Sequence, residues 1–446
     1  MRIGKYEENK SMTLNRNEIM PGVWLTCITT DKFKSGCLSI NMITQLTRET
    51  ASLNALVPMV LRRGCKDYPD LESFAGLLDD LYGAGISPTV RKIGEIQTVG
   101  LIADFVDDRY IPGDTDLFSR ILELVAQVLL QPVREKGLLK ESYVESEKEK
   151  QLDRLRSRIN DKRSYALQRI IECMCDYEDY AISRLGDEES TEDITPKSLT
   201  ERWKTLLETA PMEIFYMGGA EFKTVRTKLR AAFKDLPRGE LDFDIGTDIR
   251  MNSVDPQPRY FEDEMAVTQG KLSLGFRLGE VMDDPDYATL YVLNALYGGA
   301  VTSKLFMNVR EKLSLCYYAS SMTDVNKGIM IVYSGIDFDK YDEAYNEILA
   351  QLEAVKQGDF TEEELNAARQ AVSAELRTYM DSERDMEHYW LSRNLRGEDC
   401  DPMELSAMVE AVTREDIIHA ASGIVLDAVY FLKGSDEELE EEEEEE

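Results

Sequence analysis

The 446-residue sequence is about three times the ordinary single-domain length of roughly 150 residues, which excludes a single small module. Hydrophobic residues make up 43% and charged residues 31%, enough apolar material for sizeable cores and too much for a largely disordered chain. Lys and Arg number 52 against 85 Asp and Glu, and the resulting net charge of -33 repels phosphate backbones and anionic lipid surfaces, so neither nucleic acid nor membrane is an expected partner.

In chain order, Met1 to Met20 is polar and has no apolar signal-peptide core. No apolar run reaches the roughly 18 to 20 residues that span a bilayer, so the expected location is cytoplasmic. The first alternating strand pattern is Cys37 to Ile43, and it leads into a helix through Glu49 to Leu56 with Gly64 as its stop. A helix over Leu71 to Leu81 and strands over Ile86 to Lys92 and Gln97 to Val106 come next. Amphipathic helices follow at Leu117 to Leu130, Lys140 to Cys175 and Leu199 to Glu208. Alternating Glu and Lys or Arg at spacings of three and four make the Lys140 to Cys175 helix an exposed, charged one.

From Leu236 to Arg259 the chain carries Pro237, Pro256 and Pro258 with little periodicity, as expected of an interdomain connection. The order then repeats: a strand at Lys271 to Arg277, a helix from Asp286 through Leu293 to Gly298 and Gly299, a second helix at Ser303 to Lys312, and strands at Cys316 to Thr323 and Gly328 to Asp337. Helices at Asp339 to Gln357 and Glu362 to Leu395 close the second half. Matching features keep an offset of roughly 235 residues, as a duplication leaves them. The expected architecture is α+β, two homologous domains each with an antiparallel sheet packed with helices. The expected bounds are 1–236, a linker at 237–259, a second domain at 260–434, and a disordered acidic tail at 435–446.

Seven scattered cysteines suit reduced thiols, and the Cys173 and Cys175 pair has no further ligands at a metal-site spacing. Only His388 and His419 exist, so no pair can set two imidazoles on one helical face and a self-sufficient His-based zinc hydrolase is excluded. His388 reads as a surface or packing residue and His419 as a partly buried one; neither supports chemistry.

The run Leu296-Tyr-Gly-Gly-Ala-Val-Thr-Ser-Lys-Leu-Phe-Met-Asn-Val-Arg-Glu-Lys-Leu-Ser-Leu-Cys-Tyr-Tyr318 resembles the second-domain signature of the M16 metallopeptidases, the insulinase and mitochondrial-processing-peptidase family. It combines a glycine turn, Leu305-Phe306, Arg310-Glu311-Lys312 and Tyr317 seven residues after the arginine. The resemblance extends over roughly residues 20 to 432 and implies the paired α+β domains of the LuxS/MPP-like metallohydrolase fold. It also implies an H-x-x-E-H zinc motif on the first helix. In the best register Ala55, Pro58 and Met59 stand where that motif has its histidine, glutamate and histidine, and the distal glutamate falls near Asp153 or Arg154. An alanine, a proline and a thioether cannot replace two imidazoles and a carboxylate. No metal ligand, no catalytic residue and no cofactor is therefore assigned.

The resemblance gives Arg310 and Tyr317 the role of binding the substrate backbone or the scissile carbonyl oxygen opposite the zinc. A guanidinium offers several fixed donors and a phenol one hydrogen bond to an oxyanion. Tyr318 faces the other way and is structural. Within the family the chain is similar to the bacterial YmfF-like subgroup, associated with elongation factor P 5-aminopentanol modification. That similarity implies a non-catalytic subunit that pairs with a zinc-bearing homologue to process peptides or unfolded polypeptides. The alternative is a pseudoenzyme scaffold or peptide-binding protein acting alone or as a homodimer, whose acidity steers basic segments toward it.

Overall fold

The structure is a computed structural model and describes residues 12–113, 115–283 and 285–434. The acidic segment 435–446 lies outside the described residues. In chain order the first elements are β1 (Thr13–Met20), β2 (Val23–Thr29), β3 (Ser35–Gln45), α1 (Ala51–Leu61) and α2 (Leu71–Asp80). They are followed by β4 (Gly85–Ile93), β5 (Ile96–Val106), α3 (Leu117–Leu130), the short β6 (Arg134–Glu135) and β7 (Leu138–Leu139), and α4 (Glu141–Arg156). Next come α5 (Lys162–Met174), α6 (Glu188–Glu192), α7 (Pro196–Thr209), β8 (Met212–Gly218) and α8 (Phe222–Ala232). Residues from Leu236 run without regular structure to β9 (Arg259–Met265) and β10 (Gly270–Arg277). After α9 (Tyr287–Asn294) come two π-helical segments, Ala295–Gly299 and Leu305–Lys312, then β11 (Tyr318–Asp324) and β12 (Ile329–Ile336). The remaining elements are α10 (Tyr341–Lys356), α11 (Glu362–Tyr379), α12 (Glu383–Arg396), α13 (Pro402–Ala411), α14 (Arg414–Ser422) and β13 (Val425–Gly434).

Two compact units result, and neither is continuous in sequence. Unit 1 holds Met1–Arg156, Ile182–Gly246 and Ser382–Glu398; unit 2 holds Ser157–Ala181, Thr247–Asp381 and Asp399–Glu446. The sheet of unit 1 has the order β1-β2-β8-β3-β5-β4, and that of unit 2 has β11-β12-β10-β13-β9. Read from opposite ends the two orders coincide, with β10 in the place of β3, β12 of β5, β11 of β4, β13 of β8 and β9 of β2. Each sheet is antiparallel apart from one parallel pair, β2 with β8 and β9 with β13.

Two helices expected as continuous are broken. Lys140 to Cys175 divides at Ser157–Asn160, where Asp161 caps the next helix by accepting from the backbone N–H of Arg163 and Ser164. Glu362 to Leu395 divides after Tyr379, where the Ser382 hydroxyl accepts from the N–H of Asp385. Both breaks fall where the chain passes from one unit to the other, so α5 serves unit 2 and α12 serves unit 1. The charge repeat of the first stretch belongs to α4, whose outward positions are exposed while Glu147 and Gln151 turn inward.

In unit 1, Leu38, Ile40 and Met42 of β3 point into the main core with α1, α3, α7 and α8. The alternate residues Ser39 and Asn41 face α12. There the buried Glu387 accepts two hydrogen bonds from Arg91 (2.9 and 2.8 Å), one from Ser39 (2.6 Å) and one from Asn41 (3.1 Å). One turn-set along, buried Glu213 of β8 pairs with Arg16 and accepts from Asn394 of α12. In unit 2 the corresponding layer is more apolar, with Ile170 and Met174 of α5 against Ile329, Ile331, Ala428 and Tyr430. Its ionic part is a network in which buried Arg277 pairs with Asp427 (2.8 Å) and Glu178 (2.6 Å), and Glu178 also takes Lys327 (2.6 Å). Burial works against the Glu178 carboxylate, yet the hydrogen bonds from Arg277 and Lys327 outweigh it and hold its pKa below the ordinary value.

Glu213 has the opposite balance: burial pushes its pKa from 4.5 up to about 7, and Arg16 and Asn394 offset only part of that. A carboxyl whose pKa is raised by folding holds its proton more tightly when folded, so unit 1 loses stability as pH rises from 4.5 through about 7. Trp24, Trp203 and Trp390 all lie in unit 1, so tryptophan fluorescence in urea reads that unit. Glu213→Gln should gain on the wild type across this pH window by on the order of 3 kcal/mol. A constant difference from pH 4.5 to pH 7.5 would show that Glu213 does not titrate there.

Candidate functional site

Helix α1 is where the family resemblance puts a metal, and it is built as a core helix. Nine of its eleven residues are buried, including Ala55 and Pro58, and its apolar side chains go all the way round. Pro58 sits inside the helix, where its ring removes the N–H that would otherwise bond the carbonyl of Asn54. Met59 is half-buried, and its sulfur accepts from the Arg154 guanidinium at 3.7 Å. Of the two positions expected near a distal ligand, Asp153 is exposed and Arg154 is the one that reaches α1. A cation beside a thioether is the reverse of the anionic donor that a zinc ion requires.

The rest of the helix surface is closed by packing. Arg63, just past α1, pairs with the buried Glu147 (3.1 Å), and the Gln151 amide donates to the carbonyls of Ser52 (3.2 Å) and Leu185 (3.0 Å). Gly186, at φ 74°, lets the loop before α6 lie on the start of α1; a Cβ there would come within 2.7 Å of the Ser52 backbone nitrogen. Among the described residues no group of three or more His, Cys, Asp or Glu could hold a metal ion. The donors at Ala55, Pro58 and Met59 do not fit zinc.

The second candidate region lies in unit 2 and is open. Arg310 lies in the last turn of the π-helical segment Leu305–Lys312, whose wider turns close with i to i−5 hydrogen bonds such as Leu313 N–H to the Asn308 carbonyl (3.1 Å). Its guanidinium lies 4.7 Å from the Phe306 ring centre and 3.4 Å from the Glu311 carboxylate. The chain then turns sharply through Ser314, at φ 51°, before entering β11, the edge strand of its sheet. Tyr317 stands at that entry with 61% of its surface exposed. Its N–H donates to the Gly335 carbonyl (2.8 Å) and its phenol to Asp337 Oδ1 (3.2 Å). The hydrogen bond to Asp337 raises the phenol pKa above its ordinary value.

Arg310 and Tyr317 share no hydrogen bond with each other; each is held by its own neighbour, Phe306 and Asp337. Both supports escaped the sequence, although the i, i+4 spacing of Phe306 and Arg310 was a usable signal. Tyr318 packs with Tyr333 and under the Arg163 guanidinium (4.7 Å), a structural role. Met307 within the π-helical segment, Val301 and Leu313 flanking it in sequence, and Met322 of β11 are also exposed. Neither histidine joins a site: His388 is exposed on α12, and His419, expected to be partly buried, is exposed near the end of α14.

A family model described as the peptidase M16 inactive domain matches residues 193–372, which include Arg310 and Tyr317. The chain is 32% identical over 417 residues to the probable inactive metalloprotease YmfF of Bacillus subtilis strain 168, covering 93% of this chain and 96% of that protein. A shorter match, 31% identical over 134 residues, covers 29% of this chain and 31% of an uncharacterized zinc protease, YmxG, of the same organism. Among solved structures, a conserved protein from Enterococcus faecalis V583 is similar at TM-score 0.86 and 25% identity, covering 95% of this chain and 99% of that one. A peptidase M16 inactive domain from Pseudomonas fluorescens shares the fold at TM-score 0.75 and 16% identity, covering 95% and 98%.

If packing and Arg154 together have replaced the metal site, restoring the motif alone should not restore the metal. The triple variant Ala55→His, Pro58→Glu, Met59→His should take up zinc at least about tenfold more weakly than the same variant carrying Arg154→Glu. Equal uptake by the two, measured by calorimetric titration, would remove Arg154 from the explanation.

Proposed function

The chain belongs to the peptidase M16 family as an inactive homologue, and on that premise we propose that it is the non-catalytic subunit of a peptide-processing heterodimer. The observation that carries this reading is the contrast between the two candidate regions. The α1 region is filled with packing residues, and a guanidinium lies against Met59. The Arg310 to Tyr317 segment, leading into the edge strand β11, keeps a half-buried guanidinium and an exposed phenol, and Val301, Met307 and Leu313 along it are exposed.

In the proposed complex a zinc-bearing M16 homologue supplies the Lewis acid that polarises the scissile carbonyl. This chain supplies binding and orientation. Arg310 donates to substrate backbone carbonyls or a terminal carboxylate, its plane steadied against Phe306. Tyr317 turns its phenol from Asp337 to the substrate oxygen and donates one hydrogen bond, which strengthens as negative charge develops there. The exposed Val301, Met307 and Leu313 offer apolar contacts to an unfolded peptide and none of the enclosure that a small metabolite needs. Substrate peptides and the zinc-bearing partner are thus the two ligands of this reading.

The test uses the full chain mixed with a zinc-bearing M16 homologue from the same genome and an unstructured peptide. Arg310→Ala and Tyr317→Phe should each lower kcat/KM of the mixture by about 100-fold, the scale of one lost oxyanion donor, while the two chains still co-elute. Unchanged turnover by both variants contradicts the assigned role. Turnover that does not depend on adding this chain contradicts the heterodimer.

A further inference from the structure

The two sheets differ at one end. In unit 1 the strand β2 is not the edge: β1 pairs antiparallel along it from Thr13 with Thr29 to Met20 with Val23, and α8 lies against both strands. In unit 2 the equivalent strand, β9, pairs with β13 on one side, and among the described residues no strand pairs with the other. A parallel partner engages alternate residues of a strand, so the backbone N–H and C=O groups of every second β9 residue point away from the sheet.

The registers identify what has changed on this strand. Leu25 pairs with Ile214 and Ile214 with Ile40, whereas Tyr260 pairs with Val429 and Val429 with Leu274. Ile40 and Leu274 hold matching places in the duplicated strands, so Tyr260 stands where unit 1 has Leu25, and Glu262 where it has Cys27. Leu25 and Cys27 are fully buried, while Tyr260 is 59% exposed and the Glu262 side chain 65% exposed. On the same face the Tyr260 hydroxyl bonds that of Tyr345 (2.8 Å), and the Tyr345 ring stacks with Tyr341. Glu264 lies one alternate position further, also exposed, and a single Lys433 serves both glutamates at 3.1 and 2.9 Å. The face is therefore an open strand edge with a tyrosine platform and a net negative charge.

Acidic residues alone on an edge protect it from pairing with another copy. Exposed tyrosine rings do not serve that end; they attract cations through their faces and bury well under alkyl stems. We propose that the outer edge of β9 takes an extended basic segment of a partner protein, paired antiparallel as β1 is on β2. Its lysine or arginine side chains, at alternate positions, lie over Tyr260 and Tyr345 and against Glu262 and Glu264. Main-chain hydrogen bonds give the affinity of such strand addition, and the alternate side chains select the partner. A second copy of this chain is disfavoured, because its own β9 would bring glutamate against glutamate. The inference does not depend on the zinc-bearing homologue or on Arg310 and Tyr317.

The probe is a short fluorescein-labelled peptide alternating lysine and threonine, titrated by anisotropy into the full chain at about 0.15 M salt, where long-range attraction is screened beyond about 8 Å. The expected result is saturable binding that E262Q/E264Q weakens at least about tenfold and that E362Q/E363Q, on α11, leaves unchanged. N-methylation of one alternate set of peptide amides should abolish binding, and methylation of the other set should not, because only one set faces the edge. Three outcomes overturn the proposal: no saturable binding, equal weakening by both glutamine pairs, or equal tolerance of both methylation patterns. A peptide that becomes helical on binding, seen by circular dichroism, overturns it as well.

Discussion

What the rest of the molecule depends on is the chemistry of three side chains on one helix. Ala55, Pro58 and Met59 give α1 no side-chain nitrogen or oxygen donor on the face where the family resemblance places a hydrolytic metal, and Arg154 brings a positive charge to Met59. An alkyl group, a ring and a thioether beside a guanidinium offer a metal cation no hard donor and add a like charge. Once that face is apolar it can be packed, and Gly186, Gln151 and the Arg63 to Glu147 pair close over it. The fold is kept and the electrophile is not.

The same separation of scaffold and site appears in how the units are held. Each unit takes one helix from the other half of the chain, and each such helix is fixed by buried charges that are hydrogen-bonded on every side: Glu387 on α12, and Glu178, just after α5, with Arg277 and Lys327. Removing one partner from such a network leaves an uncompensated charge, so these networks fix where the helix sits more than they add net stability. Glu213 is the exception, a buried carboxyl whose single cation does not fully compensate burial. The regions differ in exposure. The Arg310 to Tyr317 segment and the β9 edge are open, whereas the α1 region is filled.

Much of this order is legible in the sequence, and the illegible parts have definite causes. The strands around Ile40 and Leu274 alternate cleanly because one face meets a core and the other a more polar layer, so both the strands and their duplication can be read. β8 is buried along its whole length and shows no alternation, which hides it. β9 alternates, but in charge and tyrosine, and follows a proline-rich connection that draws attention away from it. The breaks before α5 and α12 are concealed because helical periodicity runs through them; the caps Asp161 and Ser382 are the only marks, and capping residues are common enough to pass unnoticed. The π-helical turn carrying Arg310 is too short for its wider period to differ from an ordinary helix in sequence. The run around Arg310 and Tyr317 is legible in the sequence, whereas the Phe306 ring beside the Arg310 guanidinium and the Asp337 carboxylate beside the Tyr317 phenol are contacts of the folded chain.

The most direct measurement is made on the purified chain alone: its zinc content by elemental analysis, together with turnover of an unstructured peptide with and without a chelator. The expected result is substoichiometric zinc and no chelator-sensitive cleavage, because Ala55, Pro58 and Met59 offer neither imidazole nor carboxylate to the ion. One zinc per chain accompanied by cleavage that a chelator abolishes would contradict the reading of Ala55, Pro58 and Met59.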